Sequence, residues 1–473
     1  MNRRKFLAGA TVCAAAVMSR RALSSEETLP VISVGVDRSR VLGAIRPDFM
    51  GLGYEISSVA AGGPLSGGSA VYEQLVRTLG PDGVIRIGGN TSDYSAFSAS
   101  GRSVSAAKAS VINEGNLKGL GRFLDATGWK LIWGLNLGSG TAEDAVAEAR
   151  AVTEIARGKL IAFEIGNEPD LFVHEGHRKG AYAYEDYLAD YRRYKRAIRS
   201  SLPHATFAGP DVAGSTDWVT RFAADEGQDL QLLTHHYYRE GQNPRSTLEK
   251  LLHPDPKLLS RLADLRSAGE SAHLPFRICE TNSFSGGGRP GVSDTFGAAL
   301  WVMDFMFTLA CGGAAGVNIE TGINQLDRIS SYSPLRGDSW SGYSAGPDYY
   351  GMLAFAQAIP GELVAVDFGA PALDLSVYAV EKDGGILTLS IINKEPAQAV
   401  HVRIRAGERF SHARGARLKA SRLDSQDGIT FSGSAIGADG SWQSAAVEKV
   451  AVRSGYCELA VPAASAVVLT FKD

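Results

Sequence analysis

The stretch FEIGNEPDLF at residues 163–172 begins as a buried strand and ends in residues that do not extend a β-sheet. Glu164 and Glu168 lie in the part of this stretch before Pro169, which lacks the backbone N–H that a continuing strand would need. Side chains alternate between the two faces of a strand, so residues four apart share a face. We therefore predict that Glu164 lies inside the fold and that Glu168 emerges where the strand ends.

This stretch belongs to one of eight similar apolar runs. In order, they are DFMGLGYEI (48–56), GVIRIGG (83–89), KLIWGLNLG (130–138), LIAFEIGNE (160–168), HATFAGPDV (204–212), LQLLTHHYY (230–238), LPFRICETN (274–282) and AAGVNIETG (314–322). Amphipathic helical patterns such as residues 142–157 and 184–200 lie between them. Apolar runs that alternate with helices are typical of a parallel sheet buried on both faces. Eight such runs in series predict an α/β fold, a (β/α)8 TIM barrel over residues 45–355.

The pattern changes after the barrel, in residues 356–473. The stretch LDLSVYAVEKDGGILTLSIINKEP (373–396) alternates apolar and polar residues with a period of two and contains turn residues. This alternation predicts a C-terminal antiparallel β-sandwich domain. The segment PVISVGVDRSR (30–40) has the pattern of a further strand, and we predict that residues 26–44 complete the C-terminal sheet.

The first 25 residues have the build of an export signal, with a basic start, an apolar stretch and small polar residues. The sequence Arg3-Arg4-Lys5 is similar to the start of a twin-arginine signal. An ordinary secretory signal or an N-terminal anchor is the alternative. The apolar stretch is too short to span a bilayer. We predict a bacterial protein that is periplasmic or secreted, without stable membrane insertion after signal removal.

Charge and cysteine content limit the possible partners. Loss of the five basic residues in the signal would change the formal net charge from −3 to −8. Such a surface does not favour nucleic acid, so we predict no nucleic-acid partner. The remaining Cys279, Cys311 and Cys457 lie in apolar contexts without metal-ligand spacing. We predict inert thiols, no metal and no cofactor.

Two predicted strands end in carboxylates that can work together. The fourth ends in Asn167-Glu168 and the seventh in Glu280-Thr281-Asn282. The carboxyl ends of all barrel strands meet at one face, where TIM-barrel enzymes place their reactive groups. A retaining glycosidase needs one carboxyl to protonate the leaving oxygen and another, about 5–5.5 Å away, to attack the anomeric carbon. Their environments must push their two pKa values apart.

These motifs carry a resemblance to a known family. The stretches RIGGN (86–90), EIGNEPD (164–170), GPDV (209–212), THHYY (234–238) and ETNSFSGGG (280–288) resemble glycoside hydrolase family 79, in the family's order. That family contains β-glucuronidases and heparanases and belongs to the large clan of retaining barrel glycosidases. The resemblance implies that Glu168 is the acid/base and Glu280 the nucleophile. From its strand, Arg86 is expected to pair with Glu164 and to keep Glu280 ionised.

The resemblance also implies substrate contacts around this pair. Asn167 would present its amide to the sugar 2-hydroxyl, Tyr237 would lie beside the nucleophile, and His235 would lie near the rim of the subsite. Glu55 and Asn90 match family positions that bind the outer hydroxyls. Asn167 could instead be a turn residue that caps the strand end, and His235 part of a packed, hydrogen-bonded element. Glu55 and Asn90 could belong to a polar network at the end of the barrel.

A glycine run is the expected determinant of specificity. The backbone amides of Gly286 and Gly287 match those that hold the uronic carboxylate in the family, because glycine lets a ligand approach the backbone closely. The chain departs from the family at Ser285, where a tyrosine is common, and at Ile319, where a second was expected. Tyr332 is the substitute candidate. This departure puts the carboxylate contacts in doubt, though not hydrolysis.

The leading hypothesis is a retaining hydrolase that acts on a glucuronide or a glucuronate-containing glycan. An endo-acting hydrolase of heparan sulfate is one alternative, and it would need basic residues such as Arg239, Arg245, Arg289, Arg328 and Arg336 along the cleft. A neutral-sugar exo-glycosidase of the same clan and a non-catalytic carbohydrate-binding protein are the other two. The sequence leaves exo and endo action open.

Overall fold

The computed structural model describes residues 29–98, 110–326, 328–369 and 373–473, and the predicted export signal lies outside them. The first part contains β1 (Val31–Ile45), β2 (Met50–Glu55), β3 (Val84–Gly88), β4 (Ala96–Phe97), β5 (Val111–Ile112), β6 (Lys130–Leu135), β7 (Leu160–Ile165), β8 (Phe207–Val212), β9 (Leu230–Tyr238), β10 (Phe276–Asn282) and β11 (Gly316–Glu320). Strands β2, β3 and β6 to β11 form a closed parallel barrel in which β11 pairs with β2, whereas β4 and β5 pair with each other. The predicted TIM barrel is confirmed.

Helices surround the barrel. They are α1 (Ile56–Ala60), α2 (Ala70–Leu79), α3 (Glu114–Thr127), α4 (Ala142–Ala156), α5 (Tyr184–Ser201), α6 (Thr216–Glu226), α7 (Leu248–Leu252), α8 (Pro256–Ala272), α9 (Phe296–Cys311) and α10 (Pro347–Ala358). Local sequence fixes where several of them begin. Thr141 caps α4 and Ser215 caps α6, because each side chain accepts a backbone N–H of the first turn.

The C-terminal part contains the remaining strands. They are the hairpin β12 (Leu335–Asp338) and β13 (Gly342–Ala345), followed by β14 (Gly361–Phe368), β15 (Leu375–Lys382), β16 (Ile386–Asn393), β17 (Val400–Arg405), β18 (His412–Lys419), β19 (Thr430–Phe431), β20 (Glu448–Ala451), β21 (Tyr456–Val461) and β22 (Ser465–Lys472). From β14 onward they form one largely antiparallel sheet together with β1. The predicted sandwich domain and its N-terminal strand are confirmed, with β1 antiparallel to β14 and parallel to β17. The predicted division after residue 355 falls inside α10.

The sheet domain packs against the barrel through α9 and α10. Strand β16 is buried on both faces: Leu387, Leu389 and Ile391 belong to the sheet's own core, whereas Ile392 joins the core shared with the barrel. Helix α9 is apolar nearly all round because it lies between the two cores. This junction supports the barrel from one side and leaves its carboxyl face open.

Inside the barrel, an apolar layer lies beneath a polar one. The apolar cluster is formed by Val84, Ile132, Ala162, Ala208, Leu232 and Cys279. Toward the carboxyl ends of the strands, Arg86 and Glu164 are fully buried. The charged side chains near the strand ends thus lie directly on the apolar layer of the barrel interior. Across the described ranges, no helix combines the length and hydrophobicity that crossing a bilayer requires.

Candidate active site

Glu168 stands at the end of β7, where the chain leaves the sheet. Its backbone adopts a left-handed conformation (φ 52°), and a short 3-10 turn over Pro169–Leu171 follows. The backbone N–H of Glu168 donates to the carbonyl oxygen of Asp211 at 2.8 Å. The Asp170 carboxylate accepts backbone N–H groups from residues 213–215, which ties the segment after β7 to the segment after β8. The sharp exit from the strand therefore presents Glu168 at the mouth, as predicted.

Glu280 reaches the same mouth from β10. Cys279 lies in the barrel interior, so strict alternation would turn Glu280 outward. The pairing of β10 with β9 shifts between Ile278 and Glu280, and such an irregularity changes the direction of the next side chain. One oxygen of Glu280 accordingly lies within 4.8 Å of one oxygen of Glu168.

Arg86 connects the charged groups beneath the mouth. Its Nε donates to Glu164 at 3.0 Å, its Nη1 to Glu280 at 2.8 Å, and its Nη2 to Asp211 at 2.6 Å and to Asn167 Oδ1 at 2.9 Å. The expected contacts with Glu164 and Glu280 are thus present. Burial alone would lower the pKa of Arg86, but the surrounding carboxylates raise it well above its ordinary value. Arg86 is therefore a permanent cation.

His236 bridges two carboxyls. Its Nδ1 lies 2.9 Å from Glu168 Oε1 and its Nε2 lies 2.8 Å from Asp211 Oδ1. Burial would lower the pKa of His236, but Asp211 and Glu280 raise it well above its ordinary value. Burial would raise the pKa of Asp211, but Arg86 and His236 hold it well below its usual range. Both ring nitrogens of His236 can therefore donate, one of them to Glu168.

The two catalytic candidates occupy different electrostatic surroundings. Burial raises the pKa of Glu168, His236 opposes this shift, and the negative charge of Glu280 adds to it. Glu280 instead receives hydrogen bonds from Arg86 and, at 3.0 Å, from the Tyr238 hydroxyl. This arrangement favours a protonated Glu168 and gives Glu280 two hydrogen-bond donors.

The pair opens into a cleft of ≈ 860 Å³. Glu55, Glu175, Glu240 and Glu320 also border it, in addition to Glu168 and Glu280. Burial raises the pKa of Glu55 to about 7 and, with nearby carboxylates, that of Glu175 to about 8. The cleft is acidic, and two of its carboxyls, Glu55 and Glu175, have pKa values near neutral pH.

Comparison with known proteins shows which proteins the chain resembles in sequence. No family model matches the chain. It is 25% identical over 361 residues to a β-glucuronidase of Aspergillus niger and 27% identical over 378 residues to one of Neurospora crassa, in each case over 68% of this chain and 66% of the relative. It is 27% identical over 314 residues to the heparanase of Mus musculus, over 60% of this chain and 55% of the relative. The chain thus spans about two thirds of the length of the fungal relatives.

The chain is a family 79-like homologue of these proteins. The predicted resemblance is therefore confirmed. A solved 4-O-α-L-rhamnosyl-β-D-glucuronidase of Fusarium oxysporum 12S superimposes with a TM-score of 0.74 at 18% identity, over 93% of this chain and all of that one. At 18% sequence identity, this structural similarity shows that the two proteins share a fold and nothing more.

Two expected contacts of the family 79-like chain are wrong by one residue on β9. The Tyr237 hydroxyl donates to Asp255 at 2.5 Å, whereas Tyr238 contacts the nucleophile candidate. His235 is buried away from the catalytic pair, and neither of its ring nitrogens has a hydrogen-bond partner among the described residues. Burial lowers the pKa of His235 to about 3, so it is neutral. The even-numbered face of β9 points inward. Tyr238 takes the place expected for Tyr237, whereas His236 is buried between Glu168 and Asp211 and does not lie at the rim.

Three other predicted contacts lie close to the pair. Asn167 is buried; its Oδ1 accepts from Arg86, and its Nδ2 donates to Asn90 Oδ1 at 3.0 Å. Glu55 accepts from the backbone N–H and the hydroxyl of Thr91 at 2.8 and 2.6 Å. Asn90 and Glu55 border the cleft, where a sugar could reach them. Their contacts with a sugar stay predictions. The Asn167 amide would have to share its donors between Asn90 and the substrate.

The glycine run forms one wall of the cleft. Gly286 and Gly287 have φ values of 78° and 92°, which a residue with a side chain rarely adopts. Their carbonyl oxygens accept from Gln242 and from the Ser331 backbone, and among the described residues their N–H groups have no acceptor. Tyr332 lies at the same wall and stacks on Tyr238 with ring centroids 6.4 Å apart.

Most of the five arginines that were candidates for binding a polyanionic substrate lie outside the cleft or donate to backbone carbonyls of the protein. Arg239 donates to the carbonyl of His253, and Arg289 to those of Pro244 and Ser246. Arg336 is directed toward the carbonyl of Asp294. Of the five, Arg328 borders the cleft, where the described residues include one further arginine, Arg261.

Sequence reasoning missed Asp211 and His236 as members of the site. Asp211 lies in the quoted GPDV motif. For His236, the signal was Gln231: it is polar and exposed on the odd-numbered face of β9, which indicates that the even-numbered face points inward.

Within the described ranges, two groups of side chains have metal-ligand chemistry, but their contacts fit the guanidinium of Arg86 better. Glu164, Asp211 and Cys279 form one group, and Glu168, His236 and Glu280 form the other. Arg86 donates to acidic members of both groups. Its guanidinium supplies the positive charge that a metal would bring, and the prediction that the chain uses no metal stays a prediction.

Proposed function

We propose that the chain is a retaining glycoside hydrolase that releases β-linked glucuronic acid from a glycoside. The observation that carries this proposal is the approach of Glu168 and Glu280 within 4.8 Å, one beside His236 and the other on Arg86 and Tyr238. Such proximity fits direct attack by a carboxylate, whereas inverting enzymes hold their carboxyls about 6.5–9.5 Å apart. The similarity to β-glucuronidases supports the choice of sugar.

In the first step, Glu280 attacks the anomeric carbon while Glu168 protonates the departing glycosidic oxygen. A glycosyl ester forms on Glu280, and the aglycone leaves as an alcohol. In the second step, Glu168, now a carboxylate, removes a proton from water, which attacks the anomeric carbon and releases Glu280. The sugar leaves with its original anomeric configuration, and both carboxyls return to their starting states.

The neighbouring groups have distinct tasks in this cycle. Arg86 and Tyr238 hold both oxygens of Glu280, which keeps the nucleophile ionised and fixes its orientation. His236 donates to Glu168 and can stabilise the carboxylate left after the first step. Asp211 holds His236 from its other nitrogen, so the imidazole cannot turn away. Glu168 can therefore change its protonation state twice without moving.

The glycine run is the proposed site for the uronic carboxylate. The N–H groups of Gly286 and Gly287 lack acceptors within the described chain, so a ligand oxygen can take that place. Tyr332 borders the same wall and can add its hydroxyl.

The charge of the cleft favours exo action on a small aglycone. Six carboxyl side chains border the cleft, against two arginines among the described residues, Arg261 and Arg328. A heparan-type chain carries dense negative charge, and two arginines offer few cations to pair with it. Exposed Leu326 and Ile329 at the rim add apolar surface for an uncharged aglycone. The wall that holds the glucuronate would then be the main anion-binding part of the cleft.

The proposal is tested with a series of aryl β-glucuronides. Glu280→Ala should abolish turnover of all of them. Glu168→Ala should slow poor leaving groups far more than activated phenols, because a good leaving group needs little protonation. Proton NMR of the first product should show the β-anomer. An α-anomer, or equal losses on the most acidic phenol, would contradict the assigned roles.

Parallel substrates separate the alternatives. Turnover of an aryl xyloside without turnover of the glucuronide would favour a neutral-sugar enzyme. Size reduction of heparan sulfate would favour endo action. Thermal stabilisation by glucuronate without any turnover would favour a binding protein.

We further propose that residues 1–25 direct export through the twin-arginine route. The basic Arg3-Arg4-Lys5 start and the apolar stretch support this proposal. Arg3→Lys together with Arg4→Lys should leave the precursor in the cytoplasm, whereas continued export of the double variant would favour an ordinary secretory signal.

A further inference from the structure

Glu175 is a carboxyl of the cleft that the catalytic cycle does not use. It lies in the segment after β7, a short distance along the chain from Glu168, and its side chain is 20% exposed. Among the described residues, its backbone carbonyl accepts the Tyr94 hydroxyl at 3.3 Å, but neither carboxyl oxygen accepts a hydrogen bond. Neither oxygen is enclosed by the protein. A ligand in the cleft can therefore reach a carboxyl that the fold leaves unpaired.

The basic groups near Glu175 do not neutralise it. His177 Nε2 lies 3.8 Å from Glu175 Oε2, which is too far for a hydrogen bond. Burial, reinforced by the charge of Arg178, lowers the pKa of His177, so its imidazole is neutral. Arg178 itself donates to the Gly138 carbonyl and to Asp190. In the described part of the chain, no lysine or arginine forms an ion pair with Glu175.

The segment that carries Glu175 is held at both ends. Near its start, the Asp170 carboxylate accepts backbone N–H groups from the segment after β8. Near its end, the Arg178 guanidinium lies over the buried Phe172 ring, 5.1 Å from its centroid. The position of Glu175 relative to Glu168 is therefore set before a ligand binds, which reduces the entropy that binding costs.

The proposed cycle indicates which part of the substrate meets Glu175. Glu168 must contact the glycosidic oxygen to protonate it, so the aglycone on that oxygen leaves the sugar ring beside Glu168. Leu171, His174 and Glu175 follow Glu168 in the chain and border the cleft. The glycine run, which would hold the uronic carboxylate, follows β10, and β8 and β9 separate that strand from β7. Glu175 therefore belongs to the part of the cleft that receives the aglycone.

A hydroxyl is the ligand group that suits this carboxyl in both of its protonation states. Burial, reinforced by the negative charges of Glu168, Asp93, Glu280 and Asp170, raises the pKa of Glu175 to about 8, so both states occur near neutral pH. The acid can donate to a hydroxyl and accept from it, and the carboxylate can accept from it. An anionic group pairs well only with the acid, and an ammonium group pairs well only with the carboxylate.

We propose that Glu175 is a specificity-determining residue that binds hydroxyl groups of the aglycone. This inference rests on the proposed function. The glycine run would recognise the acidic sugar, and Glu175 would recognise what that sugar is attached to. The preferred substrate is then a glucuronide whose aglycone is uncharged and carries hydroxyls, such as a neutral sugar, because such an aglycone supplies the partners that the protein does not.

Two glucuronides with similar leaving groups test the proposal: β-D-glucuronosyl-(1→6)-D-glucose and cyclohexylmethyl β-D-glucuronide. Both aglycones leave as primary alcohols and both contain a six-membered ring, but hydroxyls are present on the glucose alone. Glu175→Ala should lower kcat/KM for the disaccharide roughly 3- to 10-fold, mainly through a higher KM, which is the effect of one lost hydrogen bond. The same variant should leave kcat/KM for the cyclohexylmethyl glucuronide nearly unchanged. Glu175→Gln keeps a donor and an acceptor, so it should retain most of the activity on the disaccharide.

Glu240→Ala is the matched control. Glu240 also borders the cleft, but Lys250 Nζ already donates to its two carboxyl oxygens at 2.8 and 2.7 Å. In this variant the ratio of the two kcat/KM values should stay at the wild-type value. Melting temperatures check that each variant folds, and the rate on the cyclohexylmethyl glucuronide checks that the catalytic pair is intact.

The proposal is overturned if Glu175→Ala keeps full activity on the disaccharide, or if it loses equally on both glucuronides, as a purely structural residue would. An equal change of the ratio in Glu240→Ala would also overturn it. If Glu175→Ala loses more on 6-aminohexyl β-D-glucuronide than on the disaccharide, Glu175 binds a cation instead. All these results can occur in an active β-glucuronidase, so they would leave the proposed function intact. Wild-type protein that hydrolyses neither these nor aryl glucuronides would instead refute the proposed function.

Discussion

Replacing Tyr238 by phenylalanine tests the central contact of the site. The change removes the hydroxyl that donates to Glu280 Oε1 at 3.0 Å and leaves the Arg86 contact with Oε2 in place. The ring can stay stacked on Tyr332, so the loss is confined to one hydrogen bond. A hydrogen bond to a charged group contributes about 1.5–3 kcal/mol. The free enzyme has the same hydrogen bond, so this amount is an upper limit: kcat/KM should fall, by at most roughly 150-fold, because Glu280 is less well oriented for attack.

Tyr237→Phe is the matched control, because it removes the same atom one residue earlier. The Tyr237 hydroxyl bonds Asp255, so this variant should lose at most about 0.5–1.5 kcal/mol of folding stability and keep most of its kcat/KM. Initial rates on an aryl β-glucuronide and urea denaturation give the two quantities. A larger rate loss in Tyr237→Phe than in Tyr238→Phe would refute the assignment of the inner face of β9.

Three further predictions concern other groups of the cleft. His236→Gln removes the cation that opposes the upward shift of the Glu168 pKa, so the alkaline fall of kcat/KM should move to higher pH; an unmoved profile would argue against their contact. Arg86→Met leaves buried carboxylates unpaired and should lower the free energy of unfolding by about 3–5 kcal/mol at pH 7. Urea denaturation should give a smaller loss at pH 5, where those carboxyls take up protons, and an equal loss would count against the charge network. The wild-type ratio of kcat/KM for a glucuronide with an anionic aglycone to that for one with a neutral aglycone should fall as pH rises through the Glu175 pKa of about 8, because ionised Glu175 repels the anion. In Glu175→Gln this ratio should stay constant.

Periodicity was sufficient to predict the architecture, but it does not identify strand partners. Eight apolar runs separated by helices predict the closed parallel sheet, because each run must be covered on both faces. The alternation after residue 373 predicts antiparallel strands. It does not show that β1 lies between β14 and β17, or that β16 is covered on both faces by two different cores. Those features depend on tertiary packing, which a local pattern does not contain.

The site was partly predictable because parallel strands bring their carboxyl ends to one face. That rule was enough to place Glu168 and Glu280 together at one face, with Arg86 projecting from the middle of β3 beneath them. It fails where a local irregularity decides which way a side chain points. The shift of pairing before Glu280 leaves no mark in the sequence, and from residue 232 to residue 237 both faces of β9 are buried. Reading His235 and Tyr237 as the inner pair was therefore an error of strand parity.

The acidity of the cleft follows from what the chemistry requires. A retaining site needs one ionised and one protonated carboxyl in contact distance, and buried charge is stable only when it is paired. Arg86 and His236 supply two positive charges, which Asp211 and Glu280 balance. Glu55 and Glu320, which border the same cleft, have no ion-pair partner among the described residues, and burial raises the pKa of each. In their neutral forms these carboxyls do not repel an anionic sugar. An acidic cleft can therefore bind an anionic sugar, and it should do so best at low pH.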